Sequence, residues 1–273
     1  MRRYTLNPAM PVLLRPDGAV QVGWDPRRAV LVRPPAGLSP AALAELLRIV
    51  QSGTTLADLR ARFGVDAGEL VASLVDAGVV TASERRRTRC ASIRIHGRGP
   101  LSDLLAGALR CSGARVTRSS ITRAAPPETT DLVVLSDSLA ADPRVVRELH
   151  TAGVAHLPVR LRDGAGLVGP LVIPGVTSCL DCADLHRSDR DAAWPAVASQ
   201  LRDTVGSADR ATVLATAALA LNQVDRVIRA VRRGESVGAS AQPPPTLDTT
   251  LEFDVNTGAI VARRWSRHPR CWC

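Results

Sequence analysis

Hydrophobic and polar positions alternate with one rhythm over the first third of the chain and with another beyond it. "PVLLRPDGAVQVGWDPRRAVLV" (11–32) breaks into three short apolar runs. Turn residues separate them at Pro16-Asp17-Gly18 and Asp25-Pro26-Arg27, which predicts a three-stranded meander. Three segments with helical spacing follow. "SPAALAELLRIV" offers Ser39 as N-cap and Pro40 at the first helical position. "TTLADLRARFG" starts at Thr54 or Thr55 and stops at Gly64. "DAGELVASLVDAG" starts at Asp66, with Glu69 in capping-box register and an apolar face on Leu70, Leu74 and Val75. Three strands followed by three helices predict a small winged-helix domain over residues 1–83.

A polar and charged run, "TASERRRTR" (81–89), reads as a linker, with the connection proper at 84–89. From residue 90 to 273 strands and helices alternate. "ASIRIHGRG", "DLVVLSDS", "AHLPVRLR" and "GLVGPLVIPG" read as strands, and "LSDLLAGALRCSG" and "PRVVRELHTAG" read as helices. This order predicts an α/β layer fold on a parallel sheet. "ATVLATAALALNQVDRVIRAVRR" carries an apolar stripe through Val213, Ala217, Leu221, Val224 and Ile228, and reads as one long helix. "RRGESVGASAQPPPT" (232–246) is a Gly/Ser/Pro-rich loop. "TLEFDVNTGAIVARRW" turns at Asn256-Thr257-Gly258 and predicts a β-hairpin.

Composition sharpens the picture in three ways. Apolar residues make up 45% of the 273 and aromatics only 3%, so the cores are aliphatic. The net charge is +9 with arginine as the only strong base, which favours anionic partners without choosing among them. No run of about 18 apolar residues predicts a membrane span, and the opening residues do not read as a signal peptide. A cytoplasmic location is expected.

Four of the six cysteines come in pairs, Cys179-x-x-Cys182 in "CLDC" and Cys271-x-Cys273 in "RHPRCWC". Two such pairs complete a tetrahedral set of four sulfurs, which suits a structural zinc ion with no open position for catalysis. His268 or His186 could substitute for one ligand. A redox C-x-x-C and a disulfide are the alternatives. Cys90 and Cys111 stand alone and read as small buried apolar residues.

"IRIHGRGPLSDLL" has the outline of a nucleotide-binding turn, with Gly97-x-Gly99 between a strand and a helix. Ser102 stands where the fingerprint wants its third glycine, and Pro100 removes a backbone donor. No acidic residue ends the following strand, "GARVTRSS", where a ribose hydroxyl would be held. These substitutions argue against ATP.

"CLDC" after a Gly/Pro-bracketed strand, "RDAAWP", a long helix, a hairpin and "HPRCWC" together resemble the ThiF-like (ubiquitin-activating-enzyme-like) adenylating fold. The likeness is to its degenerate members in thiazole/oxazole-modified peptide biosynthesis, the leader-peptide-binding partners of YcaO cyclodehydratases. It covers residues 90–273. Residues 1–83 are similar in layout to PqqD-like precursor-recognition domains. The resemblance implies a Rossmann-like domain with a zinc site, a homodimer, and partners consisting of a precursor leader peptide and a YcaO-like modifying enzyme. It also implies a nucleotide turn at Gly97, Gly99 and Ser102 that is vestigial, with Asp137 matching the family's magnesium-binding aspartate.

Three functions follow. A non-catalytic scaffold would take an extended leader peptide on the meander edge, with Val30, Val32, Leu70 and Leu74 as groove walls. An ATP-dependent adenylyltransferase would need the degraded glycine turn to work. A DNA-binding regulator would need a basic recognition helix, whereas "DAGELVASLVDAG" bears Asp66, Glu69 and Asp76 and no arginine.

Overall fold

A computed structural model describes residues 2–84, 89–120, 130–240 and 242–273. The chain divides into two compact units, Met1–Arg87 and Thr88–Cys273.

In the first unit β2 (Val12–Leu14), β3 (Val20–Val22) and β4 (Val30–Val32) form the expected antiparallel meander, in the order β2-β3-β4. Helices α1 (Pro40–Gln51), α2 (Leu56–Phe63) and α3 (Gly68–Asp76) follow. Ser39 caps α1 through Ala42 N, with Pro40 behind it. The capping box forms one helix earlier than the sequence suggests. Thr55 and Asp58 exchange side-chain and backbone bonds at the start of α2, and Gly64 ends that helix in the left-handed conformation. Asp66 does not cap α3. Its carboxylate accepts from Gly68 N two residues on, a local turn that competes with the box, and Ala67 takes the cap position instead.

Two further strands alter the expected layout. β1 (Arg2–Leu6) and β5 (Val80–Glu84) pair antiparallel, Arg2 opposite Glu84 and Leu6 opposite Val80. Residues 81–84, read from sequence as linker, are therefore strand. Arg85–Arg87 lie outside the described residues. A five-strand, three-helix unit is what the structure shows, and a winged-helix assignment goes beyond it. Leu6, Val20, Val22, Leu43, Leu46, Leu47, Val50 and Leu59 fill its aliphatic core.

In the second unit seven strands form one sheet in the order β12-β11-β10-β9-β8-β6-β7. β6 (Ser92–His96), β7 (Arg115–Ser119), β8 (Leu132–Ser136) and β9 (His156–Arg162) run parallel. β10 (Ala165–Val168), β11 (Thr249–Asp254) and β12 (Ala259–Arg264) then add on antiparallel. The sheet is thus mixed rather than parallel throughout. The reversal comes at the tight β9–β10 connection, too short for the crossover a parallel neighbour requires.

Alternation along β8 divides the core into layers. Leu132 and Val134 join α4 (Pro100–Leu109) and α8 (Arg210–Arg233) on one face of the sheet. Val133 and Leu135 join α5 (Pro143–Thr151) and α6 (Leu180–Ser188) on the other. A strand buried on both faces shows no polar alternation, which is why "LVVLS" reads as one apolar run. α8 is longer than expected by one residue at each end, from the Asp209 cap to Gly234, and buries Ala217, Val224 and Ile228 of its stripe. A short helix, α7 (Trp194–Leu201), links α6 toward α8 and buries none of its side chains. Cys90 and Cys111 are exposed, contrary to the expectation of burial. Cys90 precedes β6, and Cys111 sits in the 3-10 turn closing α4, so neither side chain is turned into a layer. Among the described residues no helix is long and apolar enough to cross a membrane.

Candidate metal centre and the glycine turn

The hairpin β11–β12 ends where the chain must be brought back to α6. Ser178, the residue before Cys179, donates its N–H and its hydroxyl to Asp248 Oδ1 at 2.6 and 2.8 Å. Trp265 N–H donates to the Asp248 carbonyl at 2.8 Å, and its indole N–H donates to Thr250 Oγ1 at 3.0 Å. These bonds fix the exit of β12 beside the start of α6. The tail then folds onto that helix, and Cys271 and Cys273 reach Cys179 and Cys182.

The four sulfurs lie within 4.8 Å of one another. Sγ separations are 3.7 Å for Cys179–Cys182, 3.4 Å for Cys179–Cys271 and 3.4 Å for Cys182–Cys273. A disulfide needs about 2.05 Å, and all six cysteines are free thiols. Four sulfurs around one ion at a bond length of about 2.3 Å would sit roughly 3.8 Å apart, close to what is seen. The cluster can hold a metal ion. Burial raises the Cys179 thiol well above its ordinary range, and burial also raises Cys271. Burial thus favours the protonated thiol at Cys179 and Cys271, and a cation is what would make four thiolates tolerable there.

Neither histidine considered as a substitute ligand belongs to the cluster. His268 Nδ1 accepts from Arg270 N–H at 3.1 Å, so its proton sits on Nε2, which donates to Asp189 Oδ2 at 2.8 Å. His186 Nε2 donates to the Ser266 carbonyl at 3.1 Å. His268 instead serves the tail. Its backbone N–H points at Cys182 Sγ at 3.3 Å, and its ring ties the tail to Asp189 at the end of α6. The His268 hydrogen bond, seconded by the Arg270 charge, holds the Asp189 carboxyl below the usual range. Asp189 and its role were missed from sequence. The only hint was the charge complementarity of "SDRD" and "RHPR".

At the glycine turn the structure brings Gly97, Gly99, Ser102 and Asp137 together. Asp137 directly follows β8, is 1% exposed and has a φ of 75°. Its Oδ1 accepts from Leu101 N–H at 2.9 Å and its Oδ2 from Ser102 N–H at 3.1 Å, with a further bond from the Ser102 hydroxyl. These are the first-turn donors of α4, the groups that would face a phosphate. The protein's own carboxylate occupies them. Both glycines are needed for the approach: a Cβ on Gly97 would strike the Ser136 carbonyl, and one on Gly99 would sit 2.6 Å from Asp137 Oδ1. The residues present do not fit a nucleotide phosphate at this helix end. Asp137 is a buried cap of α4.

In the first unit Val32 and Leu74 are closed inside the core, 7% and 2% exposed. Val30 and Leu70 pack half-buried against it, and Leu31 between the two valines points outward. β4 is an edge strand of the meander.

The sequence matches no family model and no curated protein. Solved structures do match its fold. A heterocyclase in complex with substrate and cofactor superposes over 100% of this chain with a TM-score of 0.70 at 13% identity. The heterocyclase TruD does so over 100% with a TM-score of 0.69 at 16% identity. E. coli MccB with MccA covers 98% of both chains with a TM-score of 0.60 at 12% identity. This chain spans 39% and 42% of the two heterocyclase chains but nearly the whole of MccB. The ThiF-like resemblance carried by the cysteine frame is therefore met at the level of the fold, along both units.

Proposed function

We propose that this protein is a non-catalytic scaffold that binds the leader of a ribosomally made precursor peptide and presents it to a separate modifying enzyme of the cyclodehydratase type. The observation that carries this reading is the shared fold. It runs through both units of this chain, which spans about two fifths of the heterocyclases it resembles. In this reading the boundary falls in the linker 84–89, with peptide recognition in 1–83 and a ThiF-like body in 90–273.

An extended peptide would add a strand to β4, where backbone groups supply affinity and the half-buried Val30 and Leu70 supply side-chain selectivity. Val32 and Leu74 would support that wall from behind. The ion held by Cys179, Cys182, Cys271 and Cys273 would be zinc, in a structural role, because four thiolates complete its shell. The second unit would associate as a homodimer.

The test is a titration of the isotopically labelled full chain with short precursor peptides from neighbouring reading frames. Backbone shifts should concentrate in β4 and α3, and Val30→Asp or Leu70→Asp should weaken binding about tenfold or more. Shifts absent from residues 2–84 would sink the reading. MccB has also been solved with ATP, which favours adenylyl transfer as the second reading. Calorimetry with ATP and magnesium separates the two, and the Asp137 cap speaks for no heat of binding.

A further inference from the structure

Two cavities of the second unit meet at one arginine. The first, of about 460 Å3, opens at the ends of the parallel strands beside His96, Arg98, Ser136, Asp142, Arg202 and Asp203. The second, of about 440 Å3, lies against α7, with Leu139, Leu167, Leu180, Trp194 and Leu201 as its apolar wall. Arg160, from β9, lines both.

The Arg160 charge is unmatched. One guanidinium nitrogen donates to the Leu139 carbonyl at 3.0 Å, and among the described residues no ion pair joins it to a carboxylate. Two nearby carboxylates are already engaged, and Asp163 and Asp191, which line the second cavity, form no ion pair with Arg160 among the described residues. Asp184 accepts from Arg187 at 2.7 Å and from the Trp194 indole at 3.1 Å, and Glu252 accepts from Arg162 at 2.8 Å. Around the first cavity Arg98 and Arg202 are offset by Asp142 and Asp203, which leaves Arg160 in excess. Burial, with Arg187 adding to it, pulls Arg160 down to about 10, so it stays protonated at neutral pH. Arg160 is half-buried, and a cation partly withdrawn from water without a counterion is costly to keep. Side chains that lower stability in this way are retained where a ligand needs them.

We propose that Arg160 anchors a ligand made of one carboxylate on an apolar body, the carboxylate on the guanidinium between the cavities and the body against Leu139, Leu167, Leu180 and Leu201. A single excess charge suits a monoanion, and the aspartates of the first cavity repel a polyphosphate. A cavity of about 440 Å3 admits a body of a few side chains. α7 closes over that body as a strap pinned at both ends. The Trp194 indole binds Asp184, Leu201 O accepts from Ala140 N–H at 3.3 Å, and Thr204 O accepts from Leu139 N–H at 3.0 Å. This site is separate from the peptide-docking face proposed for the first unit, and either can fail alone.

The experiment is a titration of the labelled full chain with four probes. They are hexanoate, acetyl-Leu-Ala-Leu with a free terminal carboxylate, acetyl-Leu-Glu-Leu-amide, and inorganic phosphate. Hexanamide serves as the uncharged control. Shifts are expected at residues 139–141, 160–167 and 194–201 with at least one carboxylate probe. Which one binds tells a free acid from a chain terminus or an acidic side chain. Arg160→Met should weaken that binding about tenfold or more and leave the melting temperature unchanged or raised, because an apolar chain replaces an unpaired charge. Leu201→Gln, on the opposite wall, should weaken the same probe without removing the arginine. The proposal is overturned if no carboxylate binds below about 10 mM, a weak limit for a ligand of this size. It is equally overturned if hexanamide or phosphate binds as well as the carboxylates do. A fall of more than about 5 °C in Arg160→Met would assign the arginine a structural role and sink the proposal too.

Discussion

The start of α4 and the start of α6 are both places where a helix, a turn and a distant strand converge on a potential ligand, and the protein treats them oppositely. At α4 the potential ligand is an anion, and Asp137 supplies it from within the chain, 36 residues from Leu101. At α6 the potential ligand is a cation, and the chain supplies only its four sulfurs, drawn from positions about 90 residues apart. The first site is complete without any partner. The second gathers four sulfurs, two of them with thiols raised by burial, around a space that could hold a metal ion. One helix start is closed and braced by an internal carboxylate, while the other gathers four sulfurs that could hold an ion.

The largest effect that can test the contrast is removal of the ion. Chelation, or the double substitution Cys271→Ser with Cys273→Ser, should free the tail after Trp265 and lower stability on the order of 5 kcal/mol or more. Released metal should be stoichiometric by elemental analysis. An unchanged melting curve after chelation would make the two helix starts alike. The next effect belongs to the brace. Asp137→Ala leaves two N–H groups unpaired in a buried place, leaves the Ser102 hydroxyl with Ser136 as its partner, and puts alanine at a positive φ. A loss of about 4 kcal/mol is expected in urea unfolding. Asp137→Asn keeps an acceptor and tolerates the backbone, so about 2 kcal/mol is expected. Sulfate should partly restore Asp137→Ala if the opened helix end takes an anion from solution. Without such a rescue the brace is ordinary packing, and the comparison loses its first half.

How much of this was legible beforehand follows from how local each signal is. The cysteine pairs are local, Cys179 with Cys182 and Cys271 with Cys273, so their chemistry could be read before any fold was known. The glycine turn was legible as a departure from a fingerprint. What fills it was not, because Asp137 reaches α4 only through the parallel pairing of β6 with β8. β1 and β5 escaped for the same reason. "RRYTL" and "VTASE" carry little apolar pattern of their own and become strands by long-range pairing, Arg2 with Glu84 and Leu6 with Val80. The β11–β12 hairpin was legible, but the antiparallel step from β9 to β10 lay behind "DG" at Asp163-Gly164, a turn signal inside what reads as a βαβ alternation. Arg160 gave no sign at all, since an unmatched charge is a property of its surroundings.

The smallest of the three effects separates the brace from the metal by pH. His156 is wholly buried, its Nδ1–H donates to the Val154 carbonyl at 3.0 Å, and its Nε2 has no partner. Burial pushes its pKa from 6.5 down to about 4, against the Val154 hydrogen bond and with the His150 charge adding to the drop. The folded protein therefore leaves this ring neutral where the unfolded chain protonates it. Between about pH 6.5 and pH 4 the unfolded state binds one more proton, so stability falls as the solution is acidified, and the full contribution is present only above the unfolded pKa. The shift corresponds to about 3 kcal/mol at most, at 1.36 kcal/mol per unit. Acid also protonates the cysteine cluster, so the wild-type decline mixes two causes. His156→Gln removes one of them. In urea unfolding at pH 7 and pH 4.5 on metal-free protein, the variant should show a shallower pH dependence than wild type by close to one proton. In metal-loaded protein a decline should persist in both, steeper than the histidine alone can explain. Equal slopes in wild type and His156→Gln would place the acid sensitivity of the second unit entirely in its four sulfurs.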